Sequence, residues 1–220
     1  MDHESDLMNP LLVSVSYFWQ NIEVNLRSVV NKFLHENSNT VYSIIEDRPI
    51  PKKQLQVDIK NTLQLVLICC DLAGDFMVER FKTGTWPEIQ KVLSFYINVQ
   101  QAHIKTKHPR RDFNMIDSSI LHQVTLDILT FLEEIFSMDN FAYLLRDIIP
   151  VLGTFLTTLW GENSTLGDKS ISLTKAMLKL DCDILWRPIT TLASQSSGDL
   201  LHDRVTHLIH FIDTLPEQTI

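Results

Sequence analysis

Two adjacent cysteines and an aspartate, Cys69, Cys70 and Asp71, are the residues whose types most suggest chemistry. Neighbouring residues of a helix point about 100° apart, so the two thiols cannot share one metal ion or form an easy disulfide. The third cysteine, Cys182, is far along the chain, and no CxxC spacing is present. Because the pair continues an apolar stripe, the sequence predicts two small buried side chains packed in a core.

Three histidines near the end of the sequence, His202, His207 and His210, could in principle ligate a metal ion. His207 and His210 are three apart and share a helix face, whereas His202 points about 140° away from His207. No HExxH pattern accompanies them, and a zinc site would need further ligands that the sequence does not supply. We therefore expect structural or solvent-facing histidines, and neither a metal site nor a cofactor.

Catalytic motifs are absent from the sequence. It contains no glycine-rich phosphate loop and no GxSxG elbow, and Glu133 and Glu134 are adjacent on a predicted helix and so diverge. The sequence predicts no catalytic residue and a protein that is not an enzyme. A thiol- or metal-dependent enzyme of unknown class remains the alternative.

A basic segment, HIKTKHPRRDF, gathers Lys105, Lys107, Arg110 and Arg111 in the longest polar loop, near residues 103–117. These four side chains are candidates for contact with an acidic partner. The competing interpretation is a solvated connection between helices. Because the chain carries a net charge of −8, we expect no direct contact with nucleic acid, although an acidic-partner or nucleic-acid binding module stays open as an alternative.

Composition places the chain among globular intracellular proteins. Of its 220 residues, 45% are hydrophobic and 21% charged, so a substantial core can form. Six glycines are too few for an architecture rich in hairpins. The start, MDHESDLMNP, lacks the order of a secretory signal, and no apolar run is long enough to span a membrane. We expect the cytoplasm, with the nucleus as a further compartment.

Apolar residues recur at helical spacing along most of the chain, with no sustained alternation typical of strands. After Asn9 and Pro10, an apolar stripe including Phe18 and Trp19 predicts a long helix or a kinked pair, broken by the polar segment His35 to Thr40. A second stripe runs from Leu55 to Ala73. Later helices are predicted at Ser118 to Ser137, Asp139 to Trp160 with a kink at Pro150, Asp168 to Leu180, Asp183 to Ala193, and Asp199 to Leu215.

Two sequence signals predict how the second stripe connects to the next helix. Gly74 is placed where a helix ends in the left-handed conformation, and Asp75 could cap the following turn. Thr85 and Glu88 have the spacing of a capping box, with Pro87 early in the helix that they open.

The predicted helices come in pairs, with a length rhythm near the 40-residue period of HEAT-type units. Each pair would expose an apolar face that a neighbouring pair covers. The sequence thus predicts an all-α fold, a HEAT-like α-α superhelix of antiparallel helix pairs. Residues 1–9 are expected to form a disordered tail and residues 10–220 a helical-repeat domain of about four to five pairs; a globular bundle is the alternative.

One long stretch, LVLICCDLAGDFMVERFKTGTWPEIQKVL, resembles the C-terminal region of the Tel-two-interacting protein one family, the HEAT-repeat subunit of the TTT complex. The similarity lies in an apolar helix, a GDF turn from Gly74 to Phe76, the pair Arg80 and Phe81, and Trp86 with Pro87. HQVTLDILTFLEEIF and ISLTKAMLKLDCDILWRPITTL are similar to the last helical pairs of the family. Family members are much longer, so this chain is expected to be a terminal piece or a shortened relative, and its basic loop has no counterpart there.

The resemblance implies an adaptor without catalytic activity. Its expected partners are the other TTT subunits, phosphatidylinositol-kinase-related kinases and chaperone co-factors, whose cooperation matures and stabilises those kinases. Tryptophan often anchors interfaces, and Trp86 is the candidate for partner contact beside the basic loop. Trp19, Trp86, Trp160 and Trp186 all stand near predicted helix ends, where a tryptophan that seals the core is the competing interpretation.

Overall fold

The regular structure of the protein is helical, as seen in a computed structural model that describes residues 10–43, 53–105, 120–138 and 165–180 and single positions at 141, 148, 152, 155, 206, 209 and 210. No strand occurs among these residues, which confirms the predicted all-α class. The helices are α1 (Pro10–Ser43), α2 (Lys53–Ala73), α3 (Asp75–Arg80), α4 (Trp86–Lys105), α5 (Ile120–Phe136) and α6 (Thr165–Leu180).

α1 is a single helix of 34 residues, so the predicted polar break at His35 to Thr40 is wrong. Within that segment Asn37 is buried, and its Nδ2 donates a hydrogen bond to the Phe33 carbonyl oxygen at 2.8 Å. Helix propensities of polar residues differ by only about a few tenths of a kcal/mol. Packing of one helix face stabilises the helix by more than that, so the polar segment stays helical. The buried face of α1 is apolar and comprises Val15, Trp19, Ile22, Leu26, Val29, Val30 and Phe33.

Gly74 separates α2 from α3. Its N–H donates to the Cys70 carbonyl oxygen at 2.9 Å, and its φ of 48° confirms the predicted positive φ. Its ψ of −126° lies outside the left-handed helical region, so the turn differs from a common helix end. Gly74 itself is the N-cap of α3, and Asp75 lies inside the first turn. The predicted capping role of Asp75 is therefore wrong.

A π-helical turn, Phe81–Thr85, joins α3 to α4 without an intervening loop. The Trp86 N–H reaches back to the Phe81 carbonyl oxygen. Pro87 has no N–H to donate, and in a regular α-helix its ring would clash with the carbonyl four residues earlier. The wider π turn relieves that clash. Because the chain arrives already helical, Thr85 does not start a helix, and the predicted capping box is wrong.

The remaining helix boundaries differ modestly from the predictions. α4 continues through Lys105, so the loop expected from residue 103 begins later. α6 starts at Thr165, one turn before the predicted Asp168, and α5 lies within the predicted range. The tail at 1–9, most of the basic loop, and the predicted helices at 139–160, 183–193 and 199–215 lie outside the described residues, apart from the single positions named above.

Four helices, α1, α2, α5 and α4, pack in a closed ring of neighbours, and α6 packs on α5. α1 packs against α2 and α4, α2 against α5, α4 against α5, and α5 against α6. The Glu23 carboxylate lies over the Gly84 Cα, and one turn later Arg27 forms an ion pair with Glu88. Because both contact positions advance together, α1 and α4 run in the same direction.

The same relation recurs further along the chain. His122 bonds Thr165 near the starts of α5 and α6, and further along both helices Glu133 bonds Lys169. α5 and α6 thus also run in the same direction. The Phe81 ring contacts that of Phe141, and the Tyr96 ring contacts that of Phe155. The later residue of one segment thus again contacts the later residue of the other.

The core is apolar and continuous across these contacts. Its largest fully buried side chains are aromatic, and the Phe81 ring also stacks on Phe131 at 6.1 Å between centroids. Within the described part of the chain, no helix is both long and apolar enough to cross a lipid bilayer.

Candidate functional site

The cysteine pair lies in the core. Cys69 is 8% exposed and Cys70 is 1% exposed, and both thiols are free, as the sequence predicts. Burial raises the pKa of Cys69, and burial together with the charge of Cys69 raises the pKa of Cys70 to about 12. A cysteine nucleophile requires the opposite shift, because the thiolate is the reactive form. These surroundings favour packing over chemistry.

The predicted histidine cluster lies mostly beyond the described residues. His210 is exposed, whereas His202, His207 and Cys182 are outside the described part. Among the residues that the structure describes, no three His, Cys, Asp or Glu side chains approach closely enough to hold a metal ion.

The predicted partner-contact residues fall into two groups. The backbone of Lys105 ends α4, while its side chain and all of Lys107, Arg110 and Arg111 lie outside the described residues. Trp86 is only 6% exposed and belongs to the core cluster. In this fold Trp86 is thus almost fully buried, as expected for a tryptophan that belongs to the core.

Glu88 is the most buried acidic side chain with an ion pair in the described structure. Only 5% of its side chain is exposed, and its carboxylate lies 2.7 Å from Lys91 Nζ and 3.4 Å from Arg27 Nε. Both cations extend from more exposed positions to reach it. A buried carboxylate without such partners would be strongly destabilising. The sequence alone predicts a capping role for Glu88, because Thr85 is close to it in the sequence and its ion-pair partner Arg27 is not.

Trp19 Nε1 on α1 and Thr85 Oγ1 in the π turn are buried without a hydrogen bond to any described residue. π turns are frequent at functional sites. Here, however, the space above Gly84 is filled by Glu23, whose Oε1 would be 1.5 Å from a Cβ at that position. The geometry fits close approach of α1 to the π turn, with no room left for a ligand at Gly84.

Glu133 is the second carboxylate with a defined set of partners. It accepts hydrogen bonds from Lys169 Nζ and Ser172 Oγ, which ties α5 to α6. Burial alone would raise the pKa of Glu133, but the hydrogen bonds from Lys169 and Ser172 and the Lys169 charge outweigh it and lower the pKa. Glu134 is exposed, so the two neighbouring glutamates diverge as predicted.

Asp127 links α2 to α5 in a similar way. Gln56 Nε2 donates to its carboxylate at 3.0 Å, and Lys60 Nζ lies 3.8 Å from it. Like Glu88 and Glu133, this carboxylate fixes one helix against another. None of the three has a histidine or a thiol among the hydrogen-bond and ion-pair partners named here.

The feature that most resembles a binding site is apolar and external. Eight large hydrophobic side chains on α1 and α2 are between 42% and 70% exposed, and we call them the outer apolar patch: Val13, Tyr17, Phe18, Val24, Val57, Leu65, Ile68 and Leu72. The prediction that Phe18 belongs to the core stripe is wrong. Val13, Tyr17 and Val24 were missed in the sequence because helical periodicity identifies one apolar face per helix, and these three lie on another side of α1.

Apolar surface marks a contact with other proteins where exposed side chains join into one large patch, whereas singly exposed apolar residues are ordinary. The described residues thus include carboxylates that tie helices together and exposed apolar side chains on α1 and α2. Comparisons with protein-family models, with curated proteins and with solved structures gave no match.

Proposed function

We propose that this protein is a non-enzymatic helical-repeat scaffold, built as a HEAT-like α-α superhelix, whose surfaces hold other proteins in place. The supporting observation is the same-direction packing of alternate helices. Glu23 contacts Gly84 and, one turn later, Arg27 contacts Glu88, so α1 and α4 run in the same direction. The contacts of His122 with Thr165 and of Glu133 with Lys169 show the same relation for α5 and α6. Stacked antiparallel pairs produce this relation, because equivalent helices of successive pairs lie side by side.

The carboxylates that join helices are consistent with a scaffold. Glu88, Asp127 and Glu133 each join helices that are distant in sequence, so the polar groups are used to fix packing. The raised pKa values of Cys69 and Cys70 weaken the alternative of a thiol-dependent enzyme.

The resemblance of the sequence to the Tel-two-interacting protein one family extends the proposal to partners. On that basis the chain would act in the cytoplasm and nucleus as an adaptor of the TTT complex. It would bind other TTT subunits and, with chaperone co-factors, phosphatidylinositol-kinase-related kinases. Lys105, Lys107, Arg110 and Arg111 would form the basic part of the contact surface, since an acidic segment is their natural complement.

Affinity purification of the tagged full chain at native expression tests this proposal. The other TTT subunits should be recovered together with the chain. Charge reversal by Arg110→Glu with Arg111→Glu should reduce recovery, whereas Lys32→Glu with Lys53→Glu, which changes the charge equally at exposed positions of α1 and α2, should not. Recovery of no TTT subunit would count against the partner assignment. Equal loss in both double variants would count against a specific role for the basic loop.

A further inference from the structure

We draw no further inference here: the strongest candidate, the set of exposed side chains of the outer apolar patch on α1 and α2, carries none because nothing in the structure shows what covers them.

Discussion

Gly74 combines a backbone conformation that only glycine adopts easily with a position between two buried helices. At φ 48° and ψ −126°, a side chain with a Cβ would be strained whatever space surrounds it. The residue allows α2 to end at Ala73 and α3 to begin immediately afterwards. Gly74 thus supplies the change in backbone conformation between α2 and α3.

We expect Gly74→Val to lower the free energy of unfolding by about 1–3 kcal/mol, because valine cannot relax at this φ without moving α3. Asp75→Ala serves as the control, since Asp75 lies in the first turn of α3 and is not its N-cap. Its effect should be limited to the weaker interaction of a carboxylate with the helix N-terminus, at most about 1 kcal/mol. Urea denaturation followed by circular dichroism measures both. A larger loss in Asp75→Ala than in Gly74→Val would contradict this assignment.

At the scale of elements, the π turn is where local sequence signals and tertiary contacts disagree. Thr85, Pro87 and Glu88 have the residue types and spacing of a helix start. In the fold, the Glu88 carboxylate is held by Arg27 and Lys91, and Thr85 Oγ1 has no hydrogen-bond partner in the described part of the chain. The Glu88 carboxylate cannot both pair with Arg27 of α1 and bond the backbone N–H of a helix cap, and in the fold it pairs with Arg27.

Thr85→Val distinguishes these arrangements. If Thr85 were an N-cap, losing its hydroxyl would cost about 1 kcal/mol. Because the hydroxyl is buried and unbonded in the fold, we expect valine, which has nearly the same shape, to leave the protein equally stable or to stabilise it by about 1 kcal/mol. The midpoint of thermal unfolding measures the difference. A clear loss of stability would show that the hydroxyl has a partner in solution.

The contact between α5 and α6 depends on pH through Glu133. The pKa of Glu133 is lowered in the folded state, so its hydrogen bonds to Lys169 and Ser172 stabilise the protein above the unfolded pKa, about 4.3. That stabilisation is lost as the pH falls through the folded pKa. Since Glu133 is partly exposed, we expect a contribution of about 1 kcal/mol at neutral pH.

Glu133→Gln should therefore be less stable than the unaltered chain at pH 7, and the difference should shrink towards pH 3. Thermal melts at intervals of pH measure it. Glu134→Gln changes the same charge at an exposed neighbour and should show little difference at any pH. A gap between Glu133→Gln and the unaltered chain that stays constant down to pH 3 would rule out this ionisation as its source.

Helix class and core positions could be predicted from the sequence because they depend on periodicity within single segments. The stripe from Ile59 to Cys70 is buried as predicted. The helix junctions and the surface could not be predicted this way. Arg27 and Glu88 are distant in the sequence, and Phe18 is apolar yet exposed because α1 already buries another face. Which apolar face of a helix is covered depends on neighbours that periodicity does not identify.

At the scale of the whole molecule, the proposed stacking of helix pairs can be separated from a closed bundle. In a stack each pair contacts only the pairs before and after it, so length grows with every layer. A closed bundle of 220 residues would have a radius of gyration of about 17 Å. α1 packs against α2 and α4, and both of these pack against α5, a ring of contacts that either arrangement can contain.

Small-angle X-ray scattering of the full chain, extrapolated to low concentration, should give a radius of gyration clearly above about 17 Å, with a pair-distance distribution extended towards long distances. A radius of gyration of about 17 Å with a symmetric pair-distance distribution would instead favour the globular bundle, since only a closed arrangement lets all helices share one centre.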